Sequence, residues 1–237
     1  APHLALPSLG RQRLRPRALT PQRRCAAPPI SPRSAPAMPA FDFHTHDLTA
    51  PPGTAIVNLP DALLLAPDTF RPVSGALYSA GIHPWTTATA DAATLDAMLD
   101  GLHRLICRHS LVAVGECGID LLRGAPIEVQ EALFLRQARM ARDAGLPVTI
   151  HCVRAFHHLL RLHAQQRPLR PWTIHGFRGK PALARQLLDA GFDLSFGPQH
   201  NDESYALTPP NRRHDETDAD PLRNAPGAVD GGDAAED

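Results

Sequence analysis

Residues 111–151 read LVAVGECGIDLLRGAPIEVQEALFLRQARMARDAGLPVTIH. Leu111 to Val114 form a short continuous apolar run that closes on Gly115 and the carboxylate of Glu116. Ile127 to Ala144 reads as a helix, stopped by Gly145 and Pro147. Val148-Thr149-Ile150 is again an apolar run, and it ends on His151. Strand, helix and strand in this order, with strands too apolar to leave a face in water, point to parallel strands buried on both sides.

The same alternation continues in both directions. Downstream come a helix over 154–166, a strand over 172–175, a helix opened by Pro181 and closed at Ala190-Gly191, a strand over 192–196 and a weak strand near 212–216. Upstream, Asp91 to His109 carries Leu95, Met98, Leu99, Leu102, Leu105 and Ile106 at helical spacing. Before it stand short strands at 77–85, ending on Gly81 and Pro84, and at 55–59. The first strand, Phe41-Asp42-Phe43-His44-Thr45-His46, alternates at a period of two, so Asp42, His44 and His46 share a face. Eight strands predict an α/β (β/α)8 TIM-type barrel with abbreviated early helices and an incomplete last strand and C-terminal helix. An open doubly wound sheet is the competing topology.

With 237 residues and 43% hydrophobic content, one sizeable domain is expected, here over 38–222. Positive and negative charges balance at 24 each, but residues 1–37 hold seven Arg and no acid, while 214–237 hold eight acids against Arg223. Residues 1–37 also carry eight prolines and no sustained apolar period, which predicts a disordered Arg/Pro-rich extension. The prolines speak against a transit helix, no apolar run suits a secretory signal, and Met38 reads as the natural start. Residues 223–237 read as a disordered acidic tail. Cys25, Cys107, Cys117 and Cys152 show no C-x-x-C spacing, so reduced thiols in a cytoplasmic protein are expected. No run approaches a membrane span, and no obligate protein partner is inferred.

The chemistry gathers at strand ends, which in a barrel form the active-site face. In order they present His44 and His46, His83, Glu116, His151, His175 and Asp218. One His-x-His alone reads as readily as two ordinary half-exposed histidines; the recurrence at later strand ends argues for a metal centre. These donors suit Zn²⁺, Mn²⁺ or Mg²⁺, with zinc favoured by the imidazole count. Glu116, between two histidine groups, can bridge two ions, and Asp218 can accept the proton of an attacking water. No Ser or Cys has a base and an orienting partner, and no Gly-rich phosphate loop follows a strand.

FDFHTH at 41–46, YSAGIHPW at 78–85, GECGID at 115–120, IHC at 150–152, IHGFRGK at 174–180 and ETD at 216–218 resemble, in the same order, the TatD family of metal-dependent hydrolases. The resemblance implies an amidohydrolase-like barrel and a two-metal deoxyribonuclease or phosphodiesterase acting on DNA or another phosphodiester. It implies His44, His46, Glu116 and Asp218 on one ion, Glu116, His151 and His175 on the other, and His83 as a phosphate contact. Arg178 and Lys180 are candidates to neutralise a phosphate, and Trp85 and Phe177 to stack on a base or pack at the rim. Asp42 is a candidate to support a ligand from behind. Cys117 and Cys152 read as small packing residues, and His157, His158 and His163 as solvent-facing.

The chain departs from that family at its end. Arg213, His214 and Asp215 stand where the pattern carries bulky apolar residues, and burying them unpaired would cost several kcal/mol. A frayed strand, an insecure Asp218 and no closing helix are the expectations there. Two other functions follow: hydrolysis of a small amide or ester on the same barrel, or a metal-binding but inactive relative.

Overall fold

The computed structural model describes residues 41–221; the expected 1–37 extension, the start at Met38 and the 223–237 tail lie outside the described residues. Eight strands run in chain order through one all-parallel sheet: β1 (Asp42–Thr45), β2 (Ala55–Asn58), β3 (Leu77–Ala80), β4 (Ala113–Asp120), β5 (Val148–Val153), β6 (Trp172–Ile174), β7 (Asp193–Phe196) and β8 (Arg213–Asp215). The helices are α1 (Ala92–Cys107), α2 (Ile127–Ala144), α3 (Phe156–Gln166), α4 (Pro181–Ala190) and α5 (Asp202–Leu207). Between β2 and β3 only single 3-10 turns occur, at Asp61–Leu65 and Pro67–Thr69, which are the abbreviated early helices.

The sheet curls into a nearly closed barrel. Past the ends of β1 and β8 the two edges meet through the backbone: the Asp218 N–H donates to the His44 carbonyl (3.0 Å) and the His46 N–H to the Ala219 carbonyl (2.9 Å). The Asp42 carboxylate adds a clasp, accepting from the Thr217 N–H (3.0 Å) and hydroxyl (2.6 Å). These bonds set His44, His46 and Asp218 at one rim.

β8 is not frayed. It pairs in register with β7, Leu194 against Arg213 and Phe196 against Asp215, and none of its residues is buried. Its polar groups also find partners. Arg213 lies over the Tyr205 ring at 4.2 Å, Asp215 accepts from the Tyr205 hydroxyl at 2.9 Å, and His214 stacks on Phe43 at 4.2 Å. Arg212 pairs with Asp193 at 3.0 Å. The penalty for polar residues in this strand assumed unpartnered burial, which the fold avoids.

β4 is buried along all eight residues and runs four residues beyond Glu116, so that Asp120 also reaches the rim. Helix α2 covers it with Leu133, Phe134, Ala138 and Ala141, Phe134 meeting Trp172 edge-on at 5.0 Å. Two buried glutamines on this helix complete backbone groups of neighbouring segments. Gln137 Oε1 accepts from the Ile82 N–H (2.7 Å) and Gln130 Oε1 from the Asp120 N–H (2.8 Å). A buried peptide group without such a partner would be costly.

On the other side α1 approaches the 3-10 turn at Asp61–Leu65 so closely that a Cβ on Gly101 would sit 1.8 Å from the Leu64 carbonyl oxygen. Gly101→Ala should therefore force two backbones apart and cost about 1–3 kcal/mol. Thermal melts should show a Tm lower by roughly 2–4 °C per kcal/mol; an unchanged Tm would disprove this contact.

Candidate metal centre

The strand ends bring the predicted side chains together around one carboxylate. Glu116 is buried, and its two oxygens face different histidines. Oε1 lies 2.8 Å from His151 Nδ1, 2.8 Å from His175 Nε2 and 3.2 Å from His83 Nε2. Oε2 lies 3.6 Å from His44 Nε2 and 3.5 Å from His46 Nε2. Asp218 closes the second group, its Oδ1 3.5 Å from His46 Nε2 and 3.9 Å from His44 Nε2. Among the described residues, three sets have donor atoms within 4.8 Å of one another: His44, His46, Asp218; His44, Glu116, His175; and His83, Glu116, His151.

The donor set fits a divalent ion. His44 is fully buried, yet neither ring nitrogen has a hydrogen-bond partner. Buried polar atoms left this way are rare and expensive, and an ion among His44, His46, Glu116 and Asp218 would satisfy Nε2. The ligand types are those of zinc and its neighbours.

Strong mutual fields act inside the cluster. Burial pushes the Glu116 carboxyl up, but His175, His83 and His151 overcome it and hold it well below the ordinary range. Burial opposes charge on His175 and His151 too, yet Glu116, with Glu216 and Asp120 respectively, raises both. On His83 burial wins, and its pKa falls. Burial would also lower His46, but its bonds to Asp218 and Glu116 raise it to about 9. The sign follows: this raised histidine stabilises the metal-free fold fully below about 6.5, and the contribution is lost as pH rises through about 9. An ion must displace that proton. Zinc affinity should therefore climb about tenfold per pH unit per proton released, up to that value. Calorimetry in buffers of different ionisation enthalpy should register the proton; binding without proton release would contradict it.

Several residues in the site went unread in the sequence. Asp120 sits 3.3 Å from His151 Nε2 and takes the Trp85 indole N–H at 2.5 Å. Its signal was the period of two in Glu116, Gly118 and Asp120, hidden by ending the strand at Glu116. Glu216, buried, lies 3.3 Å from His175 Nδ1 and accepts from the Gly176 N–H at 2.7 Å; it precedes Asp218 by two. Asn58, at the end of β2, accepts from the Glu116 N–H at 2.7 Å, and no spacing announced it.

Other candidates fall at different places. Asp42 clasps Thr217 and accepts from the backbone N–H of His44 at 3.2 Å, so its support passes through the backbone beside His44 and Asp218. Arg178 and Lys180 are exposed on the loop after β6. Phe177 is core, whereas Trp85 stands edge-on to His83 at 4.7 Å with Arg123 over its ring at 4.6 Å. Cys117 is buried and its thiol pushed up by burial. His157 is exposed, but two neighbours are not: His158 meets Glu131 at 2.7 Å, and His163 packs on Phe192 at 4.3 Å.

A family model described as TatD related DNase matches residues 66–230. The uncharacterized metal-dependent hydrolase YjjV of Escherichia coli (strain K12) is 31% identical over 148 residues, 62% of this chain and 54% of that protein. The 3'-5' ssDNA/RNA exonuclease TatD of the same organism is 35% identical over 117 residues, 46% of this chain and 41% of that protein. This chain thus spans about half the length of the curated relatives it matches. The crystal structure of YjjV, a TatD homologue from Escherichia coli K12, superposes with a TM-score of 0.61 at 24% identity, covering 76% of this chain and 78% of that one. At that identity the likeness is one of fold. Among the described residues no helix is long and apolar enough to cross a membrane.

Proposed function

This chain belongs to the TatD-related DNase family, and from that premise we propose that it is a divalent-metal-dependent phosphodiesterase, acting as a nuclease on DNA in the cytoplasm. The observation that carries the reading is the two-sided carboxylate of Glu116, one oxygen toward His44 and His46, the other toward His151 and His175. His44, His46, Glu116 and Asp218 would hold one ion, and Glu116, His151 and His175 a second. Two such ions would polarise a phosphoryl oxygen and make water a nucleophile at neutral pH.

The chain's own residues do the rest. Burial of Glu116 and His44 keeps water away from their side of the cluster, while the Asp218 side chain, 31% exposed, is open to solvent and would accept the proton of the attacking water. His83, 3.2 Å from Glu116 inside the cluster, and Arg178, exposed on the loop after β6, are the candidates to meet the phosphate. The name of the exonuclease relative supports single-stranded nucleic acid as the first substrate to try. The test is cleavage of end-labelled single- and double-stranded DNA, and of a small phosphodiester, by protein stripped with EDTA and then reloaded with Zn²⁺, Mn²⁺ or Mg²⁺. Cleavage restored by metal is expected. Absence of bound metal together with no EDTA-sensitive cleavage would overturn the reading.

A further inference from the structure

His151 and His175 each lie between two carboxylates, and the arrangement is reversed from one ring to the other. His151 turns Nδ1 to Glu116 and Nε2 to Asp120, at 2.8 and 3.3 Å. His175 turns Nε2 to Glu116 and Nδ1 to Glu216, at 2.8 and 3.3 Å. An ionised carboxylate only accepts hydrogen bonds, so once an ion takes the nitrogen on the Glu116 side, the nitrogen facing the outer carboxylate keeps the proton. The proton on the Glu116 side is the one an ion replaces.

We propose that Asp120 and Glu216 are positioning residues that lock the two histidines in opposite tautomers, so that His151 presents Nδ1 and His175 presents Nε2 to the ion between them. The proposal rests on the reading above, that these rings hold an ion. Both outer carboxylates are built in rather than free to swing. Asp120 Oδ1 takes the N–H groups of Leu122 (2.7 Å) and Arg123 (3.1 Å), and Trp85 holds Oδ2. Gln130 pins the backbone N–H of the same residue. Glu216 is held by the Gly176 N–H. A carboxylate behind a ligating imidazole fixes ring orientation and raises ligand basicity, and its loss typically costs about 10–100-fold in metal affinity.

The test uses the full chain labelled with ¹⁵N-histidine and loaded with zinc, with ring signals assigned by His151→Gln and His175→Gln. Long-range ¹⁵N–¹H spectra should show a proton on Nε2 of His151 and on Nδ1 of His175. In Asp120→Asn the His151 pattern should mix or invert and zinc affinity fall about 10–100-fold, with His175 unchanged; Glu216→Gln should do the converse. If Asp120→Asn fails to fold by circular dichroism, Trp85→Phe keeps an aromatic ring but removes the indole donor to Asp120 and should shift His151 the same way to a smaller extent. One tautomer shared by both wild-type rings, or folded variants that keep wild-type patterns and affinity, would overturn the proposal. Should the wild type bind no zinc, the functional reading fails and the proposal with it, whereas zinc bound by two rings of the same tautomer overturns the proposal alone.

Discussion

Glu116→Gln should lose metal on both sides of the centre and lower kcat by on the order of 10³-fold or more, about 4 kcal/mol of barrier. The side chain keeps its shape, and its place is secured by the Asn58 bond to the backbone N–H, so the variant isolates charge from geometry. Each oxygen of the wild-type carboxylate serves a different histidine group; a neutral amide offers one acceptor and turns a donor toward the other. Metal analysis should therefore find neither ion at normal stoichiometry, whereas His46→Ala should weaken one only. Retention of full metal content by Glu116→Gln would disprove the bridging role.

The same substitution changes the metal-free protein. Glu116 is depressed well below its ordinary value, so its contribution to stability is present above the unfolded carboxylate range and lost as pH falls through the folded value. The His46 contribution runs oppositely, full below about 6.5 and lost through about 9. The stripped wild type should thus be most stable between these limits. Removing the carboxylate leaves buried imidazoles without their counter-charge, which typically costs about 3–5 kcal/mol. The Tm advantage of the stripped wild type over Glu116→Gln should be largest near neutrality and shrink toward either extreme.

The sequence shows the elements plainly and the joints poorly. Short apolar runs at 148–150 and 172–174 and the helix at 127–144 stand where they were expected, because burial on both faces keeps a parallel strand mostly apolar, Thr149 and Thr173 being the polar residues in these two. Glu116, His151 and His175 are legible for a related reason, since a charged or imidazole side chain ending an apolar run is conspicuous, whereas His44 and His46 show as a His-x-His pair and Asp218 follows a polar strand. β8 is obscured because its stability comes from Tyr205, Phe43 and Asp193, residues distant in sequence that pair with Arg213, His214, Asp215 and Arg212. Asp120 is hidden by the glycines at 115 and 118, which read as the end of a strand that in fact continues. Asn58 and the two α2 glutamines are legible only once the partner backbone is in place. The formed β8 leaves the Asp218 carboxylate 3.5 Å from His46.

Asp218→Asn separates the chemistry from the ion that Glu116, His151 and His175 would hold. Asp218 adopts a left-handed backbone, φ +49°, a conformation that Asn tolerates as well as Asp, and its N–H bond to His44 does not involve the side chain. The fold should survive. Burial pushes this carboxyl up, but its bond to His46 and the charges of His175 and His44 bring it below the usual range, so it is ionised and able to take a proton at neutral pH. The amide cannot, and a lost general base costs typically about 10²–10⁴-fold in rate. An ion that His151, His175 and Glu116 would hold does not use Asp218 as a ligand and should remain, while His151→Ala should shed it. Thr217→Ala, which removes the hydroxyl clasped by Asp42, should reduce turnover less, because the Thr217 N–H still reaches Asp42. If Asp218→Asn turned over within a few-fold of wild type while binding metal normally, the proton would have to leave by another group. His83, neutral by burial and already 3.2 Å from Glu116, would then be the residue to replace.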